Sequence, residues 1–252
     1  GVKGFRFDVV NLISKPDIFE DDHKGDGRRF YTDGPRVHEY LQELVGDTGI
    51  EDMVTVGEMS STTLDNCIRY SRPEDRELSM CFNFHHLKVD YRDGDKWKLM
   101  EPDLVRLKQL FMEWQEGMER ENGWNAVFWC NHDQPRAISR FGDDGRYWKE
   151  SAKMLATVIH MFRGTPYVYQ GEELGMTNPH YVDISQYRDV ESINHFRILQ
   201  EKGLTESDAY RILQIHSRDN SRTPMQWNAS TNAGFTSGDT KPWISVNPNY
   251  IK

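Results

Sequence analysis

Short apolar runs alternate with helical patterns along most of the chain. The runs predict five strands, and positions three and four apart predict the intervening helices. The predicted strands cover residues 4–11, 53–58, 77–84, 125–133 and 165–171. The predicted helices start near residue 33 and near residue 63, and cover 102–118, 147–162, 189–200 and 205–216. Alternation of strands and helices is typical of an α/β fold with a parallel sheet.

The first predicted strand carries two charges on one face. Phe5, Phe7 and Val9 alternate with Arg6 and Asp8, and residues two apart in a strand point the same way. We therefore expect Arg6 and Asp8 to lie together, with apolar residues behind them. A neighbouring guanidinium keeps a carboxylate ionised. Taken alone, the pair fits a structural ion pair at a strand end as well as a functional site.

Three of the apolar runs end in an acid. The first leads to Asp8, the second to Glu58, and the run at 125–133 to His132 and Asp133. Enzymes built as parallel (β/α) barrels present catalytic groups from the C-terminal ends of several strands. The simpler interpretation of each acid is a cap at a strand end.

Composition excludes several classes of function. The 252 residues carry a formal net charge of −9, which argues against general nucleic-acid or anionic-membrane binding. No apolar run approaches the roughly 20 residues of a membrane span. The three cysteines Cys67, Cys81 and Cys130 form no Cys-x-x-Cys pair, so we expect no zinc site and interpret them as reduced thiols of a cytoplasmic protein.

Neither a metal nor a cofactor is expected. The acidic loop at 17–33 makes a calcium site conceivable, but the ligand spacing of an EF-hand is absent, so a solvated loop is the better interpretation. Gly25-Asp26-Gly27 has neither the third glycine nor the strand–helix context of a dinucleotide fingerprint.

The segments that end in acids resemble the catalytic segments of the α-amylase family of glycoside hydrolases. They read GFRFDVVN, MVTVGEM and AVFWCNHDQP. Further similarity to the family's α-glucosidase branch runs through DGRRFYTDGPRVHEYL, FNFHHLKVDY, GTPYVYQGEELGMTNP, YRDVES and SRDNSRTPMQW, to beyond residue 227. Within that branch the chain is most similar to the phosphotrehalase group, which hydrolyses trehalose 6-phosphate.

The resemblance implies a (β/α)8 barrel whose fourth strand is the first one here. We therefore expect strands 4–8 of the barrel, in a fragment of a longer enzyme that is inactive in isolation. Residues 1–217 would form the partial catalytic barrel. Residues 218–252 would be a loop-rich end that leads toward a C-terminal β-sandwich domain outside the chain.

The resemblance also implies roles for the acids in a retaining glycosidase. Asp8 corresponds to the nucleophile, Glu58 to the acid/base, and Asp133 to a third carboxylate that grips sugar hydroxyls, with His132 as a hydroxyl donor beside it. The local chemistry agrees, because Arg6 favours an anionic Asp8. Glu58 follows an apolar run with no adjacent cation in sequence, and burial of such an acid raises its pKa.

Basic residues in two loops are candidates for substrate binding. Arg218, or as second choice Arg222, resembles the arginine at the closed end of the family's pocket, although either could merely anchor its loop. The loop around 85–97 matches the phosphotrehalase version, and Lys88 and Lys96 are candidates for binding a phosphate. Both could equally be surface lysines.

The sequence thus predicts a retaining α-glucoside hydrolase that acts on a small sugar, with hydrolysis of trehalose 6-phosphate to glucose and glucose 6-phosphate as the first hypothesis. An oligo-1,6-glucosidase or α-glucosidase acting on neutral oligosaccharides is the main alternative. A non-catalytic amylase-like domain is a third possibility, against which the intact set of Asp8, Glu58 and Asp133 argues.

Overall fold

A computed structural model describes residues 1–23 and 25–251. The strands are β1 (Gly4–Phe7), β2 (Val54–Glu58), β3 (Met80–Phe82), β4 (Ala126–Phe128) and β5 (Thr165–Tyr167). The α-helices are α1 (Val37–Thr48), α2 (Leu64–Ser71), α3 (Leu104–Arg120), α4 (Ala137–Phe141), α5 (Trp148–Met161), α6 (Val190–Glu201) and α7 (Glu206–His216).

The residues form two compact units. The first unit comprises Gly1–Val89, Asp103–Val127 and Phe162–Pro166, and the second comprises Asp90–Pro102, Phe128–Met161 and Tyr167–Lys252.

The first unit is built on a parallel sheet in the order β1-β2-β3. Each strand therefore lies beside the next one along the chain, with a helix between them, which is the repeat expected of a (β/α) barrel. A parallel bridge from Cys81 to Asn125 continues the arrangement toward β4. Against the sheet packs an apolar core that includes Leu41, Met59 and Trp114.

β1 and β4 are shorter than predicted, which places Asp8 and Asp133 in the turns after them, whereas Glu58 is the last residue of β2. β1 ends at Phe7, and the next turn includes Val9 in the left-handed region at φ 35°. β4 ends at Phe128, so His132 and Asp133 follow it in a turn. The expectation of apolar packing behind the charges of β1 is wrong for Phe5, whose side chain is exposed.

The helix predicted to start near residue 33 begins later, and Asp33 does not cap it. The helix begins only at Val37, and Asp33 adopts a positive φ of 50°. Its carboxylate instead accepts hydrogen bonds from Asn11 Nδ2 (2.9 Å), Asn66 Nδ2 (2.8 Å) and Tyr70 Oη (2.7 Å). Asp33 thus ties the loop after β1 to α2.

The second unit packs α6 against α7 around an apolar cluster that includes Trp97, Tyr187 and Leu213. Both helices begin near the predicted positions. At the start of α6, Asp189 accepts a hydrogen bond from the backbone N–H of Ser192. At the start of α7, Thr205 accepts one from the backbone N–H of Asp208, so both residues act as N-caps.

Several apolar residues of the helices face away from the core. In α5, Leu155 is buried, but Met154 and Met161 are exposed. In α3, Leu104 is exposed, whereas Leu107 is buried. The sequence patterns did not predict the short helix α4.

Cys67, Cys81 and Cys130 are free, buried thiols. Across residues 1–23 and 25–251, no helix combines the length and the apolar character that crossing a membrane requires. Within the same residues, no three His, Cys, Asp or Glu side chains are grouped as a metal ion would require.

Candidate active site

Arg6 joins two of the predicted catalytic acids in the first unit. Its Nη1 lies 3.0 Å from Asp8 Oδ1, and its Nη2 donates to Glu58 Oε2. β1 and β2 are neighbours in parallel register, with Arg6 opposite Val56, so both acids leave the sheet at the same edge. The prediction that Arg6 and Asp8 point the same way is confirmed.

Burial, rather than a neighbouring charge, distinguishes the two acids. The side chain of Glu58 is 11% exposed, whereas the side chain of Asp8 is 73% exposed. The sequence argument gave Glu58 no cation, and the fold corrects this, because Arg6 contacts both carboxylates. The accessible acid is therefore Asp8, and the enclosed acid is Glu58.

A buried amide joins the turn after β1 to the turn after β2. Asn11 Nδ2 donates to the carbonyl oxygen of Ser60 (2.8 Å), and the N–H of Ser60 donates to Asn11 Oδ1 (2.9 Å). Asn11 comes three residues after Asp8, and Ser60 comes two residues after Glu58. The sequence analysis missed this positioning residue; an amide within an otherwise apolar stretch was the available signal.

Asp133 is surrounded by basic groups of the second unit. Its Oδ1 accepts a hydrogen bond from Arg222 Nη2 (2.6 Å) and lies 3.5 Å from Arg218 Nη1. Its Oδ2 lies 3.4 Å from His132 Nε2. Arg222 Nε also donates to the carbonyl oxygen of His132 (2.6 Å), so Arg222, the second choice from the sequence, contacts this segment more closely than Arg218.

The loop that carries the two arginines rests on a buried polar base. Ser217, Asp219, Asn220 and Ser221 are all fully buried. Asp219 Oδ2 accepts hydrogen bonds from the N–H groups of Arg188 (2.6 Å) and Asp189 (2.9 Å), and burial raises the pKa of Asp219. Because the base is enclosed and bonded, the loop holds its arginines in defined positions.

The two candidate phosphate-binding lysines have different surroundings. Lys88 is exposed at the end of a short 3-10 helix in the first unit. In the second unit, Lys96 Nζ donates to Glu191 Oε2 (2.7 Å) and lies 4.6 Å from the centre of the Trp97 ring. Because only 19% of its side chain is exposed, Lys96 is not an ordinary surface lysine.

Comparisons with known proteins agree with this geometry. The family model described as "Alpha amylase, catalytic domain" matches residues 1–252. The chain is 60% identical to the trehalose-6-phosphate hydrolase of Bacillus subtilis (strain 168), over 99% of this chain and 44% of the relative. It is 59% identical to the enzyme of that name from Escherichia coli (strain K12), over 99% and 45%.

Two further comparisons extend the picture. An oligo-1,6-glucosidase of Parageobacillus thermoglucosidasius is 48% identical over 99% of this chain and 45% of the relative. The crystal structure of Bacillus licheniformis trehalose-6-phosphate hydrolase superposes with a TM-score of 0.94 at 62% identity, covering 99% of this chain and 45% of that one.

The chain spans less than half the length of these relatives. The family model matches this chain over residues 1–252, and the first unit contains parallel β/α repeats. Both observations indicate the same fold. The chain therefore belongs to the α-amylase family and carries part of its (β/α)8-barrel catalytic domain.

Proposed function

We propose that the whole protein is a retaining α-glucoside hydrolase that cleaves trehalose 6-phosphate into glucose and glucose 6-phosphate. The observation that carries this proposal is the contact of one guanidinium, Arg6, with two carboxylates at the ends of neighbouring strands. Neighbouring strands lie about 4.8 Å apart, which suits the carboxyl separation of about 5–5.5 Å that retaining glycosidases use.

The proposed roles follow the differences between the acids. Asp8 is the nucleophile, because its exposed carboxylate is open to a sugar carbon and Arg6 stabilises its anionic form. Glu58 is the acid/base, enclosed beside it. Asp133 and His132 bind hydroxyl groups of the reacting ring, and Arg222 and Arg218 hold Asp133 in place.

The reaction proposed for these groups has two steps. In the first, Asp8 forms a bond to the anomeric carbon while Glu58 donates its proton to the departing glycosidic oxygen. In the second, Glu58 takes a proton from water, the water oxygen bonds to the anomeric carbon, and the bond to Asp8 breaks. Two inversions give net retention, and both residues return to their starting states.

The stereochemistry of the first-formed product tests this mechanism. NMR of the reaction mixture, recorded before mutarotation, is expected to show α-glucose first. If β-glucose appeared first, a water molecule would have attacked directly, and Asp8 would not be the nucleophile.

The preference for a phosphorylated substrate rests on the lysines and on relatives. The relatives named trehalose-6-phosphate hydrolase are 59–60% identical, and the oligo-1,6-glucosidase is 48% identical. We propose that Lys96 and Lys88 bind the 6-phosphate. A hydrogen bond to a charged group contributes roughly 1.5–3 kcal/mol, or about a tenfold to hundredfold effect on kcat/KM.

Kinetics on two substrates separate the two candidate activities. In the whole protein, Lys96→Ala and Lys88→Ala are expected to lower kcat/KM for trehalose 6-phosphate much more than for an unphosphorylated α-glucoside. Lys98→Ala is the matched control, since Lys98 is exposed and paired with Asp93. Equal losses on both substrates would mean that the lysines hold their loops, and the neutral-substrate alternative would then be favoured.

We also propose that the protein acts in the cytoplasm on a small sugar, without nucleic-acid or membrane partners. The three free thiols fit a reducing compartment. The net charge of −9 opposes binding to polyanions.

A further inference from the structure

One carboxylate, Glu191, is shared by two cations of the second unit. Its Oε2 accepts a hydrogen bond from Lys96 Nζ (2.7 Å) and forms an ion pair with Arg218, whose Nε lies 2.9 Å away. Arg218 Nη1 in turn lies 3.5 Å from Asp133 Oδ1. A continuous chain of charges thus runs from the candidate phosphate-binding lysine to the proposed sugar-binding carboxylate.

The position of Glu191 on α6 is fixed from several sides. It lies in the first turn of the helix, whose N-terminal dipole favours a negative charge. The carbonyl oxygen of Glu191 lies 3.1 Å from His195 Nδ1. The His195 ring stacks on Trp97 with 4.3 Å between ring centres, and Trp97 packs against the Lys96 ammonium. These contacts place the backbone of Glu191 and the Lys96 ammonium on one framework, so the carboxylate between Lys96 and Arg218 can set their relative position.

Glu191 also has an electrostatic effect on Lys96. Burial lowers the pKa of Lys96, while the hydrogen bond and charge of Glu191 raise it. The other charges that act on Lys96 are Arg218, which opposes protonation, and Asp189, which favours it. On α7, His216 also interacts with Lys96, but burial lowers the pKa of His216 to about 4, so it is neutral at pH 7. Among these groups, Glu191 makes the direct contact that offsets the burial of the ammonium.

We propose that Glu191 is a positioning residue for phosphate recognition, which holds the Lys96 ammonium in place and couples it to Arg218. This inference rests on the proposed function, since it gives Lys96 a phosphate to bind. A carboxylate beside the lysine could instead compete with phosphate, and removal of its charge would then strengthen binding. The two possibilities predict opposite changes in KM.

Glu191→Gln in the whole protein tests the proposal, because it keeps the shape and removes the charge. We expect the KM for trehalose 6-phosphate to rise about tenfold more than the KM for an unphosphorylated α-glucoside. The alkaline limb of the pH profile of kcat/KM for the phosphorylated substrate should move to lower pH, since Lys96 then loses its proton more easily. Glu191→Asp, which keeps the charge, should restore the position of that limb.

Glu201→Gln is the matched control, since Glu201 ends the same helix and is exposed; it should behave like the wild type. A lower KM for trehalose 6-phosphate in Glu191→Gln, an unmoved alkaline limb, or equal losses on both substrates would each overturn the inference. Thermal unfolding of each variant shows whether a loss of activity reflects misfolding. If Glu191→Gln is misfolded, the inference is tested by Glu191→Asp, whose alkaline limb should lie where that of the wild type does.

Lys96→Ala separates this inference from the proposed function. If Lys96→Ala lost activity selectively on the phosphorylated substrate while Glu191→Gln matched the wild type, only the role of Glu191 would fail. If Lys96→Ala showed no selective loss, phosphate recognition by Lys96 would fail, and the inference would fail with it.

Discussion

The buried ion pair between Arg140 and Asp90 is expected to be a main support of the second unit. Arg140 Nε lies 2.7 Å from Asp90 Oδ2, and its Nη2 lies 2.6 Å from Asp90 Oδ1. The side chains are 1% and 3% exposed. Arg140 Nη1 also donates to Gln134 Oε1 (2.8 Å). Asp90 begins the segment that includes Lys96, and its ion pair with Arg140 attaches this segment to helix α4.

Arg140→Met removes the cation and leaves the Asp90 carboxylate buried without its main partner. Loss of one member of a buried pair typically costs about 3–5 kcal/mol, because the remaining charge is desolvated and uncompensated. The enclosure of both side chains and the two-point contact place this pair in that class. We therefore expect the free energy of unfolding of the whole protein to fall by about 3–5 kcal/mol.

Urea unfolding measures this loss as a lower midpoint at unchanged slope. Lys98→Met is the matched control, since Lys98 and Asp93 form an exposed pair, and such pairs contribute about 0–1 kcal/mol. The double variant Asp90→Asn/Arg140→Met should recover much of the loss, because no buried charge remains. A loss below about 1 kcal/mol in Arg140→Met would refute the reasoning, as would additive losses in the double variant.

Four further predictions concern pH and catalysis. Burial lowers the pKa of His216 to about 4, so between pH 6.5 and 4 the unfolded chain binds a proton that the folded protein does not. Relative to His216→Gln, the free energy of unfolding of the wild type should therefore fall by about 3 kcal/mol as the pH falls from 6.5 to 4. Burial raises the pKa of Glu172 to about 7, so relative to Glu172→Gln the wild type should lose stability as the pH rises from 4.5 through 7. Thermal unfolding of each variant and of the wild type across pH 4–8 would show the pH dependence predicted for His216 and for Glu172, or contradict it. Asp8→Asn in the whole protein should abolish turnover with the fold intact by circular dichroism, whereas substantial activity would return Asp8 to a structural ion pair. The 252-residue chain alone should be inactive, because its relatives are more than twice its length and a displacement of ~1 Å can cost about a hundredfold in rate; hydrolysis by the purified chain would disprove this.

The parts of the fold that follow local periodicity could be predicted from the sequence. β2, α2, α6 and α7 lie within two residues of their predicted positions, because their apolar spacing and capping residues act over a few positions. The pairing of Arg6 with Asp8 could be predicted for the same reason. The five residues of α4 are too few to show a helical period.

The remaining features depend on contacts between distant positions. Glu58 lies 52 residues after Arg6 along the chain, so its cation was invisible until the strands were paired. Asp is a residue type that often caps helices, but the carboxylate of Asp33 instead accepts hydrogen bonds from three side chains that are distant in sequence. Arg218 and Arg222 are four residues apart, and only the path of their loop decides which one contacts Asp133 more closely.

Trapping of the covalent intermediate tests the central claim most directly. A fluorinated glucosyl fluoride that forms a long-lived glycosyl-enzyme would be incubated with the whole protein, and the labelled peptide located by mass spectrometry. We predict a single label on Asp8, within the peptide that contains Arg6-Phe7-Asp8. A label on Glu58 or on another residue, or turnover of a natural substrate with no covalent species, would contradict the proposed assignment of nucleophile and acid/base.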